Sequence, residues 1–173
     1  MRHDELSVLV DYLFWVRDRI LVATASLPEG EFRSNKTVAT RDLRATLVHQ
    51  LENEWAWRVR LSQGSFPDGD LLPGGYPTID DLVVRWHAEE RALRTWFGRV
   101  SDTQLATRPP GDDNVLPLWR YVMYVVTHGI QQFSEAAVLL TRVGHSPGEI
   151  GFLAFCSEQE APAHLAGRRV KAP

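Results

Sequence analysis

Cysteine is nearly absent from this chain: Cys156 is the only one in 173 residues. No internal disulfide can form, which excludes a disulfide-stapled scaffold and suits a reducing compartment. Cys156 itself reads as a small buried apolar residue rather than a nucleophile. Long apolar runs are also missing. The longest, from Tyr121 to Val126 and from Phe152 to Cys156, fall far short of the roughly 18 residues that a membrane span needs. The opening residues Met1, Arg2, His3, Asp4 and Glu5 lack the apolar stretch and small-residue cleavage site of a secretory signal. The expectation is a soluble, cytoplasmic protein with no membrane partner. Nor is there a surplus of positive charge. Nineteen Lys and Arg stand against 22 Asp and Glu, a formal charge of -3, and no basic run offers the footprint that a phosphate backbone requires. Nucleic acid is therefore excluded as an expected partner. The chain has no Gly-x-Ser-x-Gly elbow, no Gly-x-x-x-x-Gly-Lys loop and no dinucleotide fingerprint. It has no internal repeat and no β alternation of consequence.

What is present is ordinary globular composition, 44% apolar and 24% charged, in a length that suits one compact domain. We expect that domain over residues 1–160, with a flexible tail over 161–173. Leu6, Leu9, Leu13, Val16, Ile20, Ala23 and Leu27 recur at threes and fours, which predicts a first helix broken at Pro28. Thr40 reads as the N-cap of a second helix from Arg41 to about Ser62, with Leu43, Leu47, Leu51, Trp55 and Val59 on its inner side. A loop crowded with Pro and Gly follows, and Thr78 caps a third helix that ends near Ser101. Residues 102–114 read as a second loop. The last long helix starts near Pro117 and is closed by Gly144, and a short apolar helix or extension covering one end is expected over Glu149 to Phe155. The fold class this predicts is all-α, a four-helix bundle with long inter-helix loops.

Three residues break the apolar pattern. In the last helix Gln132 falls inside the apolar arc between Val125 and Ala136, and His128 falls at its edge, one turn away on the same face. An amide buried without partners costs about 1–3 kcal/mol, so Gln132 should be using its oxygen and nitrogen. His49 is the only histidine on the second helix, and periodicity alone permits it to lie at the surface. Taken singly, each of the three reads most simply as a hydrogen-bonded polar group.

The run Thr46-Leu47-Val48-His49-Gln50-Leu51-Glu52-Asn53-Glu54-Trp55-Ala56-Trp57 resembles the second-helix signature of the DinB/YfiT family. The run Thr127-His128-Gly129-Ile130-Gln131-Gln132-Phe133-Ser134-Glu135-Ala136-Ala137, followed by Leu139-Leu140 and the turn Gly144-His145-Ser146-Pro147-Gly148, resembles that family's last helix and the turn after it. The resemblance implies a four-helix bundle of DinB/YfiT type. It also implies that His49 and His128 match family metal ligands, that Gln132 stands where a third histidine belongs, and that Phe133 stands where arginine is common. On that footing the metal ligands are His49, His128 and Gln132, and the cofactor is a divalent metal, zinc or nickel, weakly bound or absent because an amide is a poorer ligand than imidazole.

The same resemblance implies a metal-dependent enzyme acting on a small-molecule substrate with a low-molecular-weight thiol such as bacillithiol or mycothiol, in S-transferase-type chemistry, and a homodimer. Its catalytic residues are not readable. The alternative is a non-catalytic, stress-related binding module that has lost its metal, in which Gln132 hydrogen-bonds His49 or His128. Two other readings carry less weight. His49-x-x-Glu52 and His87-x-x-Glu90 invite a di-iron centre, but such bundles use Glu-x-x-His twice with further glutamates. Ser134 and Glu135 beside the ligand turn suggest a hydrolase triad that no motif supports. His3, His145 and His164 lie near termini or turns, where exposure is expected. The six tryptophans, Trp15, Trp55, Trp57, Trp86, Trp96 and Trp119, are too many for the core of one bundle, so some are expected to face a partner or a pocket.

Overall fold

The apolar spacing of threes and fours folds as the sequence predicts, into long helices that bury one stripe each. In the computed structural model these are α1 (His3–Ala25), α2 (Leu43–Gln63), α3 (Ile79–Phe97) and α5 (Leu118–Arg142), with a single-turn α4 (Asp102–Leu105) and a terminal α6 (Phe152–Arg168). The structure describes all residues except 29, 35, 38, 39 and 169–173. In α6 the backbone alone is described over 161–168, so the expected tail falls partly on helix and partly outside the described residues. Among the described residues there is no strand, only an isolated bridge between Thr37 and Asp42.

Helix α5 packs on α1 and α2, and α3 packs on the same two from the other side, so the long helices form a ring in the order α1, α5, α2, α3. Cross-helix pairs give their directions. Gln50 meets His128 while Arg60 meets Asn114, just before α5, so α2 and α5 are antiparallel. Glu54 meets Trp86 and Arg58 meets Glu89, so α2 and α3 are parallel. A parallel pair cannot be joined by a tight turn. Residues 64–78 must therefore run back along the whole of α2, which is why so long a Pro- and Gly-rich connection exists, and Leu71 N donates to Glu52 Oε1 on the way, at 3.2 Å.

The core is built from Leu6, Leu13, Phe14, Val16 and Ile20 of α1, Leu47 and Leu51 of α2, Leu82 and Trp86 of α3, and Phe133, Ala136 and Leu140 of α5. Trp86 alone of the six tryptophans is fully buried. Trp55, expected inside, is half-buried at the edge of the bundle.

The helix ends correct several sequence expectations. Asp42, not Thr40, caps α2: its carboxylate accepts from Ala45 N at 2.8 Å, and a short acidic side chain at that position also favours the positive end of the helix dipole. Helix α3 stops at Phe97 rather than near Ser101, because Ser101 starts a capping box of its own for α4 within the expected loop. Thr78 caps α3 as predicted. Gly144, at φ +85°, closes α5 as predicted: His145 N donates to Leu140 O and Gly144 N to Thr141 O, the paired bonds of a Schellman ending. The terminal helix begins at Phe152 and runs well past Phe155. It lies on α1, where Tyr12 donates to Ile150 O and Trp15 to Glu158 Oε2.

Candidate functional site

Counting along α2 from Leu43 in steps of four and three gives Leu47, Gln50, Glu54 and, two steps on, Leu61, all buried. That line is the seam facing α3 and α5, and two of its members are polar. His49 sits one position off the seam, with its side chain 31% exposed, so it lies at the lip of the bundle rather than in its centre. The antiparallel α5 brings His128 beside it. The two imidazoles stand edge to face with ring centroids 5.3 Å apart and an interplanar angle of 67°.

Behind them is a buried chain of hydrogen bonds that links three helices. His128 Nδ1 lies 2.9 Å from Gln50 Oε1. Gln50 Nε2 donates to Glu54 Oε1 at 2.9 Å, and Trp86 Nε1 donates to Glu54 Oε2 at 2.8 Å. Gln50 and Glu54 are both fully buried. Burial pushes the Glu54 carboxyl up to about 7, against the opposing pull of the Gln50 and Trp86 hydrogen bonds and the positive charge of Arg17, and with a further upward push from Glu89. The sequence reading singled out His49 and missed Gln50 and Glu54. The signal was there: both fall in the apolar register of α2, where a polar residue needs a partner.

Desolvation holds both imidazoles below the ordinary histidine value, and the nearby charge of Arg41 adds to the effect. The neighbouring His128 lowers His49 further, whereas Glu135 opposes the shift at His128. His49 Nδ1 also lies 3.9 Å from Glu52 Oε2. Two neutral imidazoles held together are in the form that ligates a divalent cation.

Gln132 is buried, as its place in the apolar arc predicts, one turn beyond His128 on α5. Among the described residues its Oε1 has no hydrogen-bond partner. The amide on His128 belongs to Gln50, so the Gln132 bond to an imidazole expected for a metal-free module is not formed; the orphaned oxygen is left costly and available. Among the described residues no three His, Cys, Asp or Glu side chains gather closely enough to hold a metal. The structure brings the two imidazoles together, and the Gln132 amide oxygen lies one turn along α5 from His128 as a further neutral donor. Phe133, at the position expected to carry arginine in relatives, is fully buried with its ring 5.7 Å from that of Trp86.

An open cleft of about 240 Å³ begins at His49 and is walled by α2 on one side and the returning 64–78 connection on the other, with Trp55, Trp57, Phe66 and Asp70 among its lining. Trp57 is packed by Phe66, Tyr121 and Tyr124 at centroid distances of 5.3, 5.6 and 5.1 Å, and Tyr124 in turn lies 5.6 Å from His128. The aromatic excess of the sequence is thus spent partly here, beside the imidazoles.

The other constellations do not assemble. His87 is exposed, and Glu90 pairs with Arg17 and Arg94 instead of with a histidine. The Ser134 hydroxyl donates to Ile130 O within its own helix. Cys156 is partly exposed, not buried as expected. His3 is not free in solvent either: its ring stacks on Phe97 and hydrogen-bonds the Phe97 carbonyl. His145 is half-buried, with Nδ1 2.7 Å from Ser26 Oγ, and the side chain of His164 lies outside the described residues. Among the described residues no helix is long and apolar enough to cross a membrane.

No curated protein matches this chain in sequence. The family model for the DinB family matches residues 1–163, which include every element of the ring, both imidazoles and Gln132. With an all-α bundle and the His49–His128 pair in place, that match over nearly the whole chain means that the protein belongs to the DinB family.

Proposed function

We propose that this chain is a metal-dependent enzyme of S-transferase type that uses a low-molecular-weight thiol, with a zinc or nickel ion held by His49, His128 and Gln132. The observation that carries the reading is the conjunction of two neutral imidazoles 5.3 Å apart with a buried amide oxygen, one turn along α5 from His128, that has no partner among the described residues. A divalent cation bound there would favour thiolate over thiol and leave a coordination position open. The protein supplies the rest. His49 opens the site to the cleft, Trp57 and Phe66 give an apolar wall for a small-molecule substrate, and the charge of Arg41 near both imidazoles favours an anionic group such as the carboxylate of a small thiol.

Titration calorimetry with zinc or nickel on protein purified without chelator tests the reading. We expect one ion per chain, lost in His49→Ala and in His128→Ala. A parent that stays empty at millimolar metal would overturn it in favour of a non-catalytic, stress-related binding module, a second reading favoured by the neutral third donor. We also infer a homodimer in the cytoplasm. The half-buried Trp96 and Trp119 suit an apolar interface, and light scattering at a monomer mass would count against it.

A further inference from the structure

We propose that Gln50 and Glu54 are positioning residues, which set the tautomer and orientation of His128 so that its Nε2, and not its Nδ1, faces the ligand position. The inference rests on the metal-site reading above for its purpose but not for its geometry. The chain of hydrogen bonds begins at the one group whose role is fixed. An indole N–H can only donate, so Trp86 engages Glu54 Oε2 as an acceptor. Above about pH 7, where Glu54 is ionised, its carboxylate can only accept, so the Gln50 amide turns its NH₂ towards Glu54 Oε1. That leaves the amide oxygen of Gln50 facing His128 Nδ1 at 2.9 Å, and an amide oxygen cannot donate. Nδ1 therefore carries the proton, and the lone pair of the neutral ring lies on Nε2. The relay does for His128 what a carboxylate or a backbone carbonyl does behind many ligating histidines, through one intervening amide.

Two features say that the relay is built rather than incidental. Gln50 and Glu54 occupy seam positions that an apolar side chain would fill at lower cost, and both are fully buried with their polar atoms paired. Opposite them α5 carries Gly129, where a Cβ would stand 2.7 Å from Gln50 Nε2. The backbone of the helix that bears His128 is thus cut away where the amide passes.

Nitrogen-15 chemical shifts of His128 in the metal-free protein, recorded at about pH 8.5 where Glu54 is ionised, read the tautomer directly. We expect Nδ1–H in the parent, a mixture of tautomers in Gln50→Leu, and recovery of Nδ1–H in the double variant Gln50→Glu with Glu54→Gln. In that swap a carboxylate accepts from His128 and from the new amide, while the amide oxygen accepts from Trp86. Zinc affinity, measured by calorimetry, should fall about 10- to 100-fold in Gln50→Leu and return in the swap. A merely structural role for Gln50 would lower the melting temperature and leave the tautomer alone. An Nε2–H ring in the parent, or an unchanged tautomer in Gln50→Leu, overturns the inference whatever the metal does. Absence of zinc uptake by the parent overturns the functional reading alone.

Discussion

Gly129 of α5 faces the side chain of Gln50 across the α2–α5 seam so closely that any β-carbon on the glycine would meet both Gln50 Nε2 and the Leu13 methyl group. Neither neighbour is free to give way. Leu13 is packed in the core, and Gln50 is tied to Glu54 and His128. Gly129→Ala should therefore destabilise the protein by about 1–3 kcal/mol, despite the higher helix propensity of alanine. Urea unfolding checks this, and a stabilised variant would mean that the seam is looser than the structure has it.

Glu54 makes the stability depend on pH in a direction unusual for a carboxylate. Its pKa rises from an ordinary 4.5 to about 7 on folding, so the folded chain keeps a proton that the unfolded chain releases in that window. The associated stability is fully present below pH 4.5 and is lost as pH rises through 7, on the order of 3 kcal/mol in total. Glu54→Gln removes this dependence. The difference in unfolding free energy between variant and parent, measured from about pH 4.5 to about pH 8, should shift in favour of the variant as pH rises. A flat difference would show that Glu54 titrates as an ordinary carboxylate.

Gln132 should trade stability against metal affinity. Its buried oxygen has no partner among the described residues, so Gln132→Leu, similar in volume and apolar, is expected to raise the melting temperature of metal-free protein while abolishing zinc binding. Gln132→His should instead raise zinc affinity at least tenfold, about 1.4 kcal/mol, because imidazole is the better ligand. Calorimetry on the three proteins separates the outcomes, and equal affinities in all of them would remove Gln132 from the site.

Arg41 should be felt at both imidazoles. Burial comes first among the causes that hold His49 and His128 low, and the Arg41 charge second. Arg41→Gln should therefore raise the pKa of both rings in an NMR titration. If neither imidazole moved, the proposed role of Arg41 in attracting an anionic group would lose its basis.

The amino-acid sequence alone determined the long helices, because burying one apolar stripe per helix is a periodicity that can be counted: Leu6, Leu13, Val16, Ile20 and Ala23, then Leu43, Leu47 and Leu51, and Leu118, Val122, Val125, Ala136 and Leu139 lie inside as their spacing requires. It marked Thr78 and Gly144 as helix ends, since a cap depends on a few adjacent residues. It put Gln132 in the interior for the same reason, and residue patterns in two segments pointed to the family. Only the tertiary structure decided what the polar residues do. The parallel course of α2 and α3 is set by the path of residues 64–78, not by any local pattern, and it is this that delivers Trp86 to Glu54. The antiparallel α5 gives Gln50, rather than Gln132, to His128. Spacing along one helix fixes which face a side chain takes, but a hydrogen bond between helices depends on their relative direction and register, which no single segment contains.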